Sequence, residues 1–201
     1  KVAIAHIDNN LVGGKKTIPS TGNNHRKDKW EKNWCFFAKD GSQSLLYSVL
    51  PLIITSDTGA TTQIDSSVLQ TLVTGTDATF NSLPPILYGD HYIVFYHWKT
   101  IRETPGEQQL VYSLGVFMMD KDLSMITQIR KQPVFVGSAN DARIHWFDVA
   151  GRACNSQAIC ALPFGAFIEE DELIISLGIN DAYSGIARLP IDSILSGMTN
   201  I

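Results

Sequence analysis

From residue 88 to residue 133 the apolar side chains of this chain recur at every second position, in runs cut apart by turn residues. That period demands strands. Residues 91–97, His-Tyr-Ile-Val-Phe-Tyr-His, are β-branched or aromatic almost throughout, which suits a half-buried strand. Pro105 and Gly106 mark a polar excursion where pairing is expected to stop. Residues 110–119 return as a second strand, and residues 125–130 make a third after a turn at 120–124. The expectation is a four-stranded antiparallel unit. His97, between Tyr96 and Trp98, then sits at the end of a strand beside a long loop. An imidazole among aromatics there suits a polyol or anion site, and it equally suits a plain core strand.

A chain of 201 residues with 44% hydrophobic and 18% charged residues can build a sizeable core. Its net charge is −4 and it has no basic run, so a nucleic-acid partner is disfavoured. The apolar run 45–55 is broken by Ser48 and Pro51 and is too short to span a membrane. No secretory leader is visible, which leaves the compartment open. The chain starts at Lys1 and is already strand-like at residues 2–7, so further residues are expected ahead of it. Cys35, Cys154 and Cys160 have neither an even count nor CxxC spacing, so no metal site is expected and free buried thiols are favoured over a disulfide.

The same punctuation runs along the rest of the chain. Residues 11–29 read as a loop, and the aromatic run from Trp30 to Phe37 as the start of a strand. Strands are expected at 36–38, 45–50 and 53–56, turned by Asp40-Gly41, with residues 63–72 as an outer strand. Residues 77–85, with two prolines, read as a link. Further strands are expected at 144–149, 158–162, 166–168, 173–177 and 182–189. A helix is expected only at 191–198, with Asp192 as its cap. Blade-like units at about 30–76, 77–134 and 135–190 point to an all-β chain. It would form one β-propeller domain with about three blades and a leading strand, incomplete on its N-terminal side. The open edge would need a missing N-terminal segment, a partner chain or a second copy to cover it.

There is no GxSxG, HExxH, phosphate-binding loop or dinucleotide fingerprint. The candidates that remain are polar residues beside turns: Lys32 and Asn33, His97 and Lys99, Tyr112, and Asn180-Asp181. Lys32 and Asn33 could stand at the floor of a cleft while Trp34 stacks on a sugar ring; Trp34 could equally be a core residue. Each is individually weak, since a lone His in an aromatic strand is often core and Asn-Asp after Gly is often a turn. As carboxylates for glycosidic cleavage there are Glu31, Asp90, Asp120, Asp148 and Asp181, of which Asp120 and Asp148 read as structural.

The order of motifs is similar to that of a known family. Glu31-Lys32-Asn33-Trp34, then Tyr47-Ser48 and Pro51, resemble a segment of the five-bladed propellers of glycoside hydrolase family 130, which holds mannoside phosphorylases and related mannosidases. Tyr96-His97, Tyr112-Ser113-Leu114-Gly115, Asp120 and Pro133-Val134 resemble the next segment. Leu162-Pro163-Phe164-Gly165, Ser176 to Asp181 and Ile186-Ala187 resemble the one after. The resemblance implies that His97 contacts phosphate or a sugar hydroxyl and that Lys32 is a second cation. It implies that Asp181 bonds the innermost sugar and Tyr112 lines the wall, with inorganic phosphate as a co-substrate. Two departures stand out. Trp98 replaces the glycine that follows the family's histidine, and no Asp-Pro-Arg segment occurs, so no catalytic acid can be named in this chain.

Two functions follow. One is a carbohydrate-active enzyme of the mannoside hydrolase or phosphorylase type. The other is a non-catalytic glycan-binding or assembly module, which could be attached to a glycosyltransferase, with Trp30, Trp34 and Trp98 as a stacking surface. A propeller binding no small ligand is the bland alternative.

Overall fold

The computed structural model describes residues 4–7, 13–17, 33–73, 78–104, 107–136, 146–147, 153–154, 158–159, 161–179 and 183–201. β1 (Ile4–Ile7) and β2 (Gly13–Thr17) form a hairpin, so part of the expected 11–29 loop is a strand. A first antiparallel sheet follows in the order β3 (Cys35–Lys39), β4 (Ser42–Val49), β5 (Leu52–Ser56), β6 (Thr61–Ile64). Asp40 and Gly41 close its first hairpin with φ of 50° and 77°, the left-handed pair that a two-residue turn needs and that Asp-Gly supplies.

Residues 65–72 are not a strand. α1 (Ser67–Leu72) begins where the Asp65 carboxylate accepts the Ser67 N–H at 2.9 Å, and it buries Leu69. Six residues are too few for a helical period to stand out, which is why the β-branched composition reads as strand.

The second sheet takes β7 (Ala78–Asn81), β8 (Ile86–Tyr88), β9 (His91–Thr104), β10 (Glu107–Asp120) and β11 (Ile126–Arg130). The expected link at 77–85 therefore holds a strand, because Thr79 and Phe80 pair with Trp98 and His97. β9 and β10 pair without a break from His91↔Asp120 to Thr104↔Glu107. Residues 99–104 and 107–109 are thus ladder rather than loop, while the expected turn at Pro105-Gly106 lies outside the described residues. Continuous pairing satisfies the backbone groups there whatever the side chains.

Short pieces follow: β12 (Phe135–Val136) on β10, a hairpin of β13 (Trp146–Phe147) and β14 (Ala153–Cys154), and β15 (Ala158–Ile159), which adds to β10 in parallel. The third sheet is a meander of β16 (Ala161–Glu169), β17 (Glu172–Ile179) and β18 (Tyr183–Pro190). α2 (Ile191–Leu195) follows it with Pro190, not Asp192, at the N-cap position. The chain then returns as β19 (Met198–Asn200), paired with β11 at the edge of the second sheet. The expected eight-residue helix is a short helix and a strand, divided by Gly197, which lies against the Arg130 guanidinium.

Packing explains the sequence period. Tyr92, Val94, Tyr96, Phe117 and Met119 join a core with Cys35, Phe37, Leu46, Ile54 and Ile64 of the first sheet. Their alternates Ile93, Phe95, Leu114, Val116 and Met118 join a core with Leu173 and Ile175 of the third sheet and Ile191 and Ile194 of α2. The second sheet is covered on both faces, so residues 92–97 are all buried, not half-buried. Each large side chain so buried contributes roughly 1.5–3 kcal/mol. The chain is nearly all β, in three main antiparallel sheets, and none of its described helices is long and apolar enough to cross a membrane.

Candidate functional site

Strand alternation decides what surrounds His97. Its sequence neighbours Tyr96 and Trp98 point to the opposite face, where they stack on each other at 5.5 Å. On its own face His97 pairs across to Phe80 and Leu114. The Phe80 ring stacks on the imidazole at 5.3 Å, and Tyr112 stands 6.1 Å away on the other side. The histidine is indeed between two aromatics, but not the two beside it in sequence. Nor is it at a strand end: seven residues of β9 follow it, the last being Thr104.

A polar rim surrounds this stack. Ser82 Oγ lies 2.7 Å from His97 Nδ1, in a bond that fixes the ring's orientation. Lys99, two residues along β9, places its ammonium 5.7 Å from the centre of the Phe80 ring and is the direct cross-strand partner of Tyr112. Phe80, Ser82, His97, Lys99 and Tyr112 form one group, at the end of the face whose other residues pack on the third sheet. It carries a cation, a hydroxyl, an imidazole and a phenol around aromatic faces. Such a surface suits the hydroxyls and the apolar C–H face of a sugar.

The structure thus brings His97, Lys99 and Tyr112 together and adds Phe80 and Ser82, hidden in what reads as a proline-bounded link. The Thr79-Phe80 dipeptide is the only strand signal there.

Asn33 and Trp34 lie just ahead of β3 in the first sheet. Asn33 is left-handed at φ 63°, a conformation that Asn tolerates better than most residues, and its carbonyl accepts the Cys35 thiol. Trp34 lies 5.7 Å from Tyr47, which the β4–β5 ladder skips at a register shift between Leu46 and Ser48. Trp98 packs against the first core rather than standing open as a stacking surface. Lys32, Asp181, Trp30, Glu31 and Asp148 lie outside the described residues.

The carboxylates with described contacts serve turns and surface pairs. Asp40 pairs with Lys39 at 2.8 Å, and Glu172 with Arg188 at 3.1 Å. Asp120 accepts the N–H groups of Ser124 and Met125 across its turn. Burial pushes its carboxyl up, but these bonds and the Ser124 hydroxyl together outweigh that and hold it below its ordinary range.

A separate cleft of about 500 Å³ opens between the first sheet and α1, lined by Leu50, Pro51, Ile64, Asp65, Ser67 and Gln70 among others. It shares none of its residues with the His97 group.

No family model and no curated protein matches the sequence. Among solved structures, a β-1,2-mannobiose phosphorylase from Listeria innocua, in complex with β-1,2-mannobiose, matches 88% of this chain. The TM-score is 0.58 and the identity 16%. A GDP-Man-dependent mannosyltransferase from Leishmania mexicana matches 79% of it, with a TM-score of 0.53 and 15% identity. The chain covers 48% and 51% of those two chains, so it spans about half the length of each. At these identities the shared property is the fold, a stack of antiparallel sheets found in two proteins that handle mannose.

Proposed function

We propose that this chain is part of a β-propeller of the mannoside phosphorylase and hydrolase type, with blade-like units at about 30–76, 77–134 and 135–190. Its second unit presents a mannose-type sugar to His97, Lys99 and Tyr112. The observation that carries the reading is the group itself. Phe80 and Tyr112 flank the imidazole, Ser82 orients it, and Lys99 places a positive charge beside it, on a fold shared with two mannose-handling proteins. Lys32 and Asp181 are proposed to join from neighbouring units, and inorganic phosphate is the proposed co-substrate in the phosphorolytic version.

A non-catalytic reading stands beside it, favoured by one observation. Among the described residues, Asp40, Asp65, Asp120 and Glu172 are all engaged in turns or exposed pairs, so none of these four is offered as a general acid. Glu31, Asp148 and Asp181 lie outside that set. In that version the chain binds the sugar and the proton donor belongs to other polypeptide.

Calorimetric titration of the whole chain with mannobioses, with and without phosphate, tests both. Binding is expected, and His97→Ala and Lys99→Met should each weaken it by about tenfold, as the loss of one good polar contact does. Product formation with phosphate separates catalysis from binding. If no mannoside binds, or if both variants bind like the parent, the site assignment is wrong.

A further inference from the structure

β7 stands at the edge of the second sheet, four residues long, with β9 as its pairing strand. Together with the residue that follows it, β7 supplies two members of the His97 group, Phe80 and Ser82. Asn81 lies between them. Alternation turns its side chain to the opposite face, toward the first sheet, where it is 3% exposed. There its Nδ2 donates to the Leu46 carbonyl of β4 at 2.8 Å. Leu46 precedes the register shift between β4 and β5, where a bulge disrupts the ladder and leaves backbone groups for other partners. The amide's other end, Oδ1, is buried and accepts no hydrogen bond among the described residues. An apolar side chain of that shape would spare the chain this unpaired acceptor, so what Asn81 contributes is its one bond to the first sheet.

We propose that Asn81 is a positioning residue of the His97 group: by fastening β7 to Leu46 it holds Phe80 and Ser82 against the imidazole. The geometry leaves little slack. Ser82 Oγ is 2.7 Å from Nδ1, and the Phe80 ring is 5.3 Å from the imidazole. A drift of β7 by about 1 Å takes the hydroxyl out of hydrogen-bond range. Within its own sheet β7 has the ladder to β9 and the Ser82 N–H, which donates to the Phe95 carbonyl at 3.1 Å. Those bonds fix it along β9 but leave a short edge strand free to tilt, and the Asn81 bond across to the first sheet opposes that tilt. The aromatic wall and the orientation of the histidine thus depend on a carbonyl in a different sheet. The effect on sugar binding rests on the reading of this group as a sugar site; the effect on the imidazole does not.

Imidazole ¹⁵N shifts of the whole chain, recorded without sugar, test the positioning directly. Asn81→Ala should move the His97 signals in the same direction as Ser82→Ala. Asn81→Leu fills the space and removes the unpaired acceptor along with the donor, so it should fold even where Asn81→Ala does not, and move the signals alike. Ser66→Ala is the control. It removes a buried bond within the first sheet, from the Leu52 N–H to Ser66 Oγ at 3.2 Å, and should leave the His97 signals in place. Mannobiose binding by the parent should weaken by about threefold in both Asn81 variants, as for a residue that acts through others. Unmoved His97 signals in either folded Asn81 variant overturn the proposal, as does an equal movement in Ser66→Ala. Parent-like mannobiose affinity in both Asn81 variants overturns it as well. If the parent binds no mannobiose, the sugar site fails and the His97 signals alone decide the role of Asn81.

Discussion

Gly115 lies beneath the ring of Tyr96: a Cβ placed on it would stand 2.5 Å from Tyr96 Cζ and 2.8 Å from Trp98 Cζ3. The two rings stack over the β10 backbone because nothing projects there. Tyr96 is almost fully buried, so it has little room to move aside. Gly115→Ala should therefore lower stability by about 1–3 kcal/mol, the usual cost of overpacking. A shift of the urea midpoint measures it, and an unchanged midpoint would show that the stack yields freely.

Ser82 orients His97 and contributes no charge of its own. Ser82→Ala should lower stability by about 1 kcal/mol, and mannoside binding should weaken less than in His97→Ala. The ¹⁵N shifts of the imidazole are the direct readout, because losing the Nδ1 partner changes the tautomer balance. Identical ring shifts in parent and variant would exclude that role.

Arg130 ties the end of α2 to the second sheet. Its Nη1 donates to the carbonyls of Ser193 and Ile194 at the end of α2. Arg130→Met keeps the stem and removes those bonds, at a cost of about 1.5–3 kcal/mol. Hydrogen exchange should speed up first at residues 198–200 and on β11. Uniform loss of protection would mean that the helix end is not a separate point of weakness.

Burial pushes the Cys35 thiol up to about 12, so only about one part in 10⁴ is thiolate at pH 8. Site-resolved mass spectrometry should find Cys35 unlabelled by iodoacetamide in the folded chain and labelled in urea. Rapid labelling in the folded chain would contradict its burial.

The Asp120 carboxyl is held below its unfolded value near 3.8, so its stabilising effect is complete above that pH and fades as pH falls through the folded value. The carboxylate is largely exposed and screened, so the effect should be under about 1 kcal/mol. Asp120→Asn should lose stability at neutral pH and show a flatter acid limb. An acid limb like the parent's would mean that other carboxylates set it.

Much of this architecture is legible in residue order. The period-two runs place β4, β5, β9, β10, β17 and β18, because a strand's two faces are written alternately along it. Which faces are covered is not written there. Residues 92–97 read as half-buried because the third sheet, about 80 residues later, is what covers Ile93 and Phe95. The continuation of β9 past Lys99 is equally hidden, since polar side chains do not prevent ladder pairing. His97 and Tyr112 can be singled out by type, but their meeting depends on the register that sets His97 opposite Leu114. Trp34 reads as their companion and instead packs at a tilt against Tyr47, because no local signal reveals which sheet an aromatic will serve.

The pairing of β19 with β11 has a consequence for how the molecule is made. Arg130 faces Met198 in that ladder, and Gln128 Nε2 donates to Asn200 Oδ1 at 3.0 Å. During synthesis the first two sheets can form while the third is still emerging. The edge beside β11 nevertheless stays open to stray strands until residues 198–200 leave the ribosome. A polymer translated in one direction thus finishes its middle layer late, and a pause before residue 198 would expose an adhesive edge on an otherwise folded chain.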